Sequence, residues 1–285
     1  SISVRFVGMS SCEVSMNEPM KETRMLSLGA GVQSTTLALL AVHGEIEKPE
    51  HAIFADTGWE PKEVYDHLKW LTPVMENAGI KVHKVSAGNI RKDTLSEGRF
   101  ASMPFHMKAA NGKTGMAIRQ CTSEYKLQPI LKKQRELLGL KYRQRWTEQH
   151  GVIVNLMGIS LDEIQRAKDN QHKFITNQFP LLDLRMKRTD CLEWLNKHEY
   201  NAPRSACIGC PYHSDHEWRR IKENPVEWAD AIDFDKQLRT IKTKFDSEMY
   251  LHKSCKPIDE VDLRTEEERG QGTLFDAECE GMCGL

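Results

Sequence analysis

The chain has 285 residues, 28% of them charged, and a formal net charge of −1. That length can bury a full core, as one large domain or a domain with an appendage, and the near-neutral balance argues against wholesale coating of nucleic acid while leaving room for local basic patches. No apolar run approaches the ~20 residues of a membrane span, and residues 1–20 lack the apolar centre of a secretory signal. The eight cysteines are therefore expected to be reduced, in a cytoplasmic protein, and to serve metal binding or sulfur chemistry before disulfides.

In chain order, an apolar segment at Met25–Leu28 runs into Gly29 and Gly31, a hydroxyl cluster at Ser34–Thr36, and the apolar run Leu37–Val42. This reads as strand, tight turn and helix start. Amides at a helix N-terminus, aided by the dipole, favour an anion, and the natural ligand is a nucleotide phosphate. A glycine turn also serves merely to join strand to helix. His51–Asp56 reads as a second buried strand ending in an acid. Asp56 suits Mg²⁺ on a phosphate, a ribose, the turn itself, or a helix cap. Pro61 opens a helix carrying Val64, Leu68, Leu71 and Met75, with Pro73 inside it; Gly79 stops it, and Ile80–Val85 alternates as a third strand.

Residues 96–118 show no period and read as a long loop, either a functional lid or a disordered stretch. Ser123–Leu138 reads as a basic helix interrupted by Pro129, and Gly151–Ile159 as a central strand. Ser160 and Glu163 have the spacing of a capping box. Residues 188–198 and 214–245 look helical. The alternation predicts an α/β fold, a doubly wound parallel sheet with ligands beyond the strands' carboxyl ends. It is followed by a helical, cysteine-bearing C-terminal portion. The expected division is an N-terminal extension at 1–23, a nucleotide-binding α/β domain at 24–185, a helical metal-bearing region at 186–250, and a tail at 251–285.

Cys207 and Cys210 form a C-x-x-C turn followed by Pro211, and His213 and His216 complete C-x2-C-x2-H-x2-H. The donor types suit tetrahedral zinc, Cys-Pro also recurs in iron–sulfur ligation, and a redox dithiol is the third reading. Cys121, at the end of the long loop, is a further candidate ligand. Cys279 and Cys283 suit a sulfur relay, a last ligand, or two inert tail thiols, whereas Cys191 lies in a helical pattern as a core residue. Lys126, Lys132, Lys133 and Arg135, and separately Lys141–Trp146, fit a nucleic-acid backbone with stacking rings, or plain solvated faces. Arg185, Lys187 and Arg188 suit a phosphate or sulfate, or simply a surface turn.

Taken together, these residues resemble a known superfamily. Gly29–Ser34 resembles a degenerate pyrophosphate-loop (PP-loop) motif, Ser-Gly-Gly-x-Asp-Ser, with Gly29 and Gln33 in place of its Ser and Asp. Phe54–Glu60 resembles the second motif of the phosphoadenosine-phosphosulfate (PAPS) reductase-like branch. Arg119-x-Cys-Thr-x-x-x-Lys126 with Pro129 and Ile130, Gly158–Glu163, Phe179–Asp183 and Ser205–Pro211 follow in order. The resemblance spans residues 24–220 and implies an adenine nucleotide alpha hydrolase-like fold in a sulfur-transfer branch similar to the ATP pyrophosphatases of DNA phosphorothioation.

The resemblance implies ATP with Mg²⁺ at Ser27, Gly29, Ala30, Gly31, Gln33, Ser34, Thr35, Asp56, Thr57, Gly58, Gly158 and Ser160. It implies a [4Fe–4S] cluster, with Zn²⁺ as the alternative, on Cys121, Cys207 and Cys210. Catalytic roles fall to Asp56, Cys279 and Cys283, although the tail lacks the final His of the PAPS reductases. The expected activity is adenylation of an acceptor, a nucleic acid by preference, for sulfur insertion. The alternatives are reduction of PAPS or a related sulfonucleotide, and a non-catalytic zinc-containing binding module. Expected partners are a sulfur-donor protein such as a cysteine desulfurase and a second copy of the chain as a homodimer, with no membrane.

Overall fold

The computed structural model describes residues 20–96, 103–241, 247–265 and 268. Its centre is a five-stranded, all-parallel sheet of β1 (Glu22–Leu28), β2 (His51–Asp56), β3 (Lys81–Ser86), β6 (Val152–Met157) and β7 (Ile175–Gln178), ordered β3-β2-β1-β6-β7. β1 and β6 are buried along most of their length, because helices cover both faces of such a sheet. Register aligns Leu28 with Phe54, and Ser27 with Met157, so the three inner strands end side by side. The chain winds outward from β1 through β2 to β3, then returns to the other side of β1 at β6. The switch point therefore lies between β1 and β6, where a crevice opens beyond the carboxyl ends of the strands.

Helix α1 (Val32–His43) follows β1 and is buried from Ser34 to Ala41, sandwiched between the sheet, α2 (Lys62–Asn77), α5 (Pro180–Asp183) and α6 (Arg188–Lys197). Gly44, with φ +77°, ends α1 in the left-handed conformation that spares a Cβ. Cys191 of α6 is fully buried there, and burial pushes its thiol up to about 12, so it is a core residue.

A second core forms beside the first. The 103–118 stretch and the segment after 246 build an antiparallel sheet of β4 (His106–Ala109), β5 (Thr114–Met116) and β8 (Ser247–Tyr250), ordered β5-β4-β8. A hairpin thus stands where a loop is expected. Its strands are three or four residues long, and β5 is exposed throughout, so no apolar alternation marks it. Trp218 of α7 (Asp215–Glu223), Phe234 of α8 (Pro225–Leu238), Phe105, Tyr125 and Leu251 fill this core with Ile90 of α3 (Ile90–Leu95). The expected 214–245 helix is broken at Asn224, whose side chain caps α8 by accepting from the N–H groups of Val226 and Glu227. The stretch read as one helix around Pro129 is a π-helical turn, Ser123–Leu127, running into α4 (Gln128–Leu137), where proline is tolerated at the start. Among the described residues no helix is long and apolar enough to cross a membrane.

Candidate functional site

Two cavities meet at the switch point. The first is lined by Ser27, Gly29, Gly31, Gln33 and Ser34 from the end of β1 and the start of α1. Phe54 and Ala55 of β2, Gly158 and Ile159 after β6, and Ile130 of α4 contribute its apolar walls. Lys126, Arg166, Arg188 and Arg204 supply cationic groups around it. Gly31 is the N-cap of α1 and no side chain caps the helix. The first backbone bond runs from Thr35 N–H to the Gly31 carbonyl at 2.9 Å, which leaves the amides of Val32, Gln33 and Ser34 without intrahelical acceptors. An apolar slot beside open amides and arginines suits a nucleoside carrying phosphates.

The turn itself is tight. Ala30 takes a left-handed φ of +57°, and the Ser34 hydroxyl lies 3.2 Å from the Gly31 amide. A Cβ on Gly158 would sit 2.9 Å from Ser34 N, so only glycine lets the end of β6 meet the start of α1. The Ser160–Glu163 pair does not form its expected capping box. Gln33 Nε2 lies 3.4 Å from both Ser160 Oγ and Glu163 Oε2 instead, so these side chains bracket the cavity's edge. Thr35 is buried and faces away from the cavity lining, its Oγ1 2.9 Å from His67 Nε2. Burial lowers the His67 imidazole to about 4, so it is neutral near pH 7.

Asp56 does not line this cavity. Its Oδ1 accepts from the Gly58 N–H and the Tyr65 hydroxyl, both at 2.8 Å, and its Oδ2 pairs with Lys84 at 2.7 Å. Burial alone would raise the carboxyl, but those three donors outweigh it and hold it below the usual carboxylate range. Of the readings open for Asp56, holding the turn is the one its contacts make. Proline 61, not Asp56, is the N-cap of α2. Gly58 takes φ +74° against Asn89, and Thr57 turns toward the second cavity.

That second cavity is a narrow, mainly apolar cleft lined by Thr57, Ile90, Met103, Arg119, Cys121, Cys207, Cys210 and Tyr212. Segments 86 residues apart in sequence (207 − 121) thus bring three thiols to one cleft. Lys126 lines this cleft and the first cavity alike. Each cysteine segment is fastened to the second core. Tyr125, fully buried, donates its hydroxyl to Asp93 Oδ2 at 2.6 Å and anchors the π-helical turn after Cys121. Ile208 N–H donates to the Trp59 carbonyl at 3.0 Å, and Cys210 N–H closes the turn onto the Cys207 carbonyl at 3.0 Å.

His213 and His216 do not join the thiols. His213 is buried, burial lowers it to about 4, and its Nε2–H donates to the Cys207 carbonyl at 2.9 Å. His216 faces the neighbouring open cleft of about 580 Å³, which shares Arg188 and Arg204 with the first cavity. The Cys2His2 set suggested by spacing is therefore not assembled. Among the described residues the three sulfurs are not all within 4.8 Å of one another. Ligands on one zinc ion, about 2.3 Å from it, would stand about 3.8 Å apart. The three thiols share a cleft without standing at single-ion spacing. Glu60, buried at 3% exposure, has Oε1 3.0 Å from Thr57 Oγ1 and 3.6 Å from Cys207 Sγ, while its Oε2 has no hydrogen-bond partner. An orphaned buried oxygen on the carboxylate that meets Cys207 marks a place that a bound group would complete.

Cys279 and Cys283 lie outside the described residues. Glu60 and Trp59 were missed as site residues, although both directly follow Asp56–Gly58. Arg204 and Ser205 were missed too, and their signal was adjacency to the C-x-x-C turn.

Fold and cavities together define an α/β protein with a phosphate-type loop at its switch point and a thiol cleft alongside. No family model matches the chain, and no curated protein matches it. Among solved structures it is similar to the U34-tRNA thiolase NcsA from Methanococcus maripaludis with its [4Fe-4S] cluster. The TM-score is 0.39 and the identity 15%, over 79% of this chain and 74% of that one.

Proposed function

We propose that this chain is an ATP-dependent sulfur-transfer enzyme of the PP-loop type. The observation that carries the reading is that Cys121, Cys207 and Cys210 share one cleft, and that Lys126 lines both that cleft and the nucleotide-type cavity. The adenosine occupies the apolar slot between Phe54 and Ile159, and the phosphates, with Mg²⁺, face the Val32–Ser34 amides and the arginines. An acceptor oxygen attacks the α-phosphorus, the bond to the β-phosphate oxygen breaks, and pyrophosphate leaves. Open amides and cations stabilise the charge that builds on the phosphate oxygens. Hydrosulfide from a donor then bonds to the activated atom, and AMP departs with the electron pair of the broken bond. Activation is needed because the bare oxygen is a poor leaving group.

Cys121, Cys207 and Cys210 would hold a [4Fe–4S] cluster, which when bound supplies an iron site that binds sulfide. Thr57 and Glu60 back Cys207, and the cleft around the thiols is mainly apolar. The acceptor we assign is a nucleic acid, a DNA backbone phosphate being the specific case. The support is the exposed Lys141–Arg145 segment, where Arg143 stacks over Tyr142 at 5.2 Å. The test is anaerobic incubation with ATP, acceptor and sulfide, following pyrophosphate and sulfur incorporation. Sulfite release from PAPS without pyrophosphate release from ATP overturns the reading in favour of a sulfonucleotide reductase. A colourless protein with stoichiometric zinc and neither activity overturns it in favour of a binding module.

A further inference from the structure

On the face of the molecule formed by the far ends of two helices, a group of metal-type donors has no part in the proposed reaction. α1 ends at His43, and the left-handed Gly44 turns the chain so that Glu45 follows at once; the Glu45 N–H bonds back to the Leu40 carbonyl at 2.9 Å. α6 ends at Lys197, and His198 is its C-cap residue. One donor atom each from His43, Glu45 and His198 falls within 4.8 Å of the other two. Two imidazoles and a carboxylate that close are a donor set for a divalent first-row ion.

The surroundings hold these side chains in place. His198 Nδ1–H donates to the Trp194 carbonyl at 2.8 Å, which fixes the tautomer and leaves Nε2 with its lone pair. A ligating histidine is held in this way, its other nitrogen donating to a carbonyl or carboxylate. The Tyr200 hydroxyl lies 3.0 Å from His43 Nε2, and Trp194 Nε1 lies 3.4 Å from Glu45 Oε2. The Trp194 ring stacks on His198 at 4.1 Å and meets His43 edge-on at 5.4 Å. Both rings are thus packed in place even though His43 and Glu45 are exposed.

We propose that His43, Glu45 and His198 bind a divalent transition ion, Zn²⁺ in the first instance, with water completing a four-coordinate site. The ion clasps the C-terminal end of α1 to that of α6. Because α1 begins at the phosphate-type loop and α6 packs along it, the clasp restrains the helix whose first turn carries the open amides. It binds the folded chain and not the unfolded one, so it stabilises by mass action.

The experiment is calorimetric titration of full-length, chelator-stripped protein with ZnCl₂, together with melting curves with and without the metal. It is run on wild type, His43→Ala, His198→Ala and Glu45→Gln. His43 and Glu45 are exposed and His198 is half-buried, so melting curves of the metal-free variants verify that each folds. Zinc at the cysteine cleft is separated by repeating the titration with Co²⁺, whose spectrum carries an intense sulfur charge-transfer band only where thiolates bind. The expected result is one equivalent without that band, a raised melting temperature, and affinity weakened about tenfold or more by each alanine. Identical stoichiometry, affinity and melting shift in wild type and the His43→Ala/His198→Ala double variant overturn the proposal. So does a Co²⁺ spectrum in which every bound equivalent carries the sulfur band. Neither outcome bears on the sulfur-transfer reading, since no ligand of this site belongs to it.

Discussion

The indole of Trp59 lies directly on the backbone of Gly209: a Cβ there would come within 2.1 Å of the ring carbon Cη2. The ring is itself held by Asp230, which accepts from Nε1 at 2.5 Å, and by packing on Phe234 at 4.5 Å. It has nowhere to retreat. The glycine of the C-x-x-C turn is thus required by its neighbour as much as by the turn.

Gly209→Ala should consequently displace the Cys207–Cys210 turn. Overpacking of this kind costs about 1–3 kcal/mol. The expected outcome is a lower melting temperature and loss of metal from the protein as purified, with nucleotide binding kept, measured by metal analysis and calorimetry. Full metal content with wild-type stability would show that the turn is not locked by Trp59.

Removing one thiol isolates the cleft from the nucleotide cavity. Cys207→Ser should abolish visible-range absorbance in anaerobically reconstituted protein and stop sulfur incorporation. ATP affinity should stay within about twofold, because Cys207 does not line the nucleotide-type cavity. Parallel loss of ATP binding would contradict the separation of roles between the two cavities.

The converse change sits at Gly158. Its added Cβ would meet the backbone of Gln33 and Ser34 at 2.9–3.1 Å, atoms that cannot swing aside. Gly158→Ala should push the phosphate-type loop out of place and weaken ATP binding about tenfold or more, since about 1.4 kcal/mol is a factor of ten. Gly115→Ala, with nothing within 4 Å of the added carbon, is the control and should leave affinity unchanged.

The parallel sheet was legible because β1, β2 and β6 are apolar runs closed by turn residues. A run such as Val152–Met157 has few other places to go. The hairpin of β4 and β5 was not, since three residues with exposed side chains carry no period. Within the site, the glycines could be read because their spacing encodes backbone approach. The role of Asp56 could not: an acid at a strand end has the same sequence whether it holds Mg²⁺ or, as here, Lys84, Tyr65 and the Gly58 amide. Glu163 and Ser160 had capping spacing, but Gln33 from a distant segment competes for both side chains, and a local pattern cannot report a long-range partner.

Lys126 borders both cavities, and in the proposed reaction its cation would offset charge on the phosphates. Lys126→Met keeps most of the side-chain volume and removes the charge. Pyrophosphate release should fall about 100-fold, the usual cost of deleting a donor to developing negative charge. Cluster absorbance should persist. A variant that releases pyrophosphate at the wild-type rate would remove Lys126 from the reaction.

Acidification should act on the fold through His67. Burial lowers its imidazole to about 4 from an ordinary 6.5, so the folded chain holds it neutral while the unfolded chain takes up a proton as pH drops below 6.5. Stability from this residue is complete above pH 6.5 and is lost as pH falls toward 4. The shift alone corresponds to about 3 kcal/mol, and partial exposure of the ring discounts that to about 1–2 kcal/mol. His67→Gln retains an amide able to meet Thr35 Oγ1 and has no proton to gain. Urea titrations at pH 7 and pH 5 should show wild type losing more stability on acidification than the variant. Because Thr35 stands in the first turn of α1, ATP affinity in the wild type should weaken over the same interval. Equal losses in both proteins would mean that His67 is already accessible to protons in the native state.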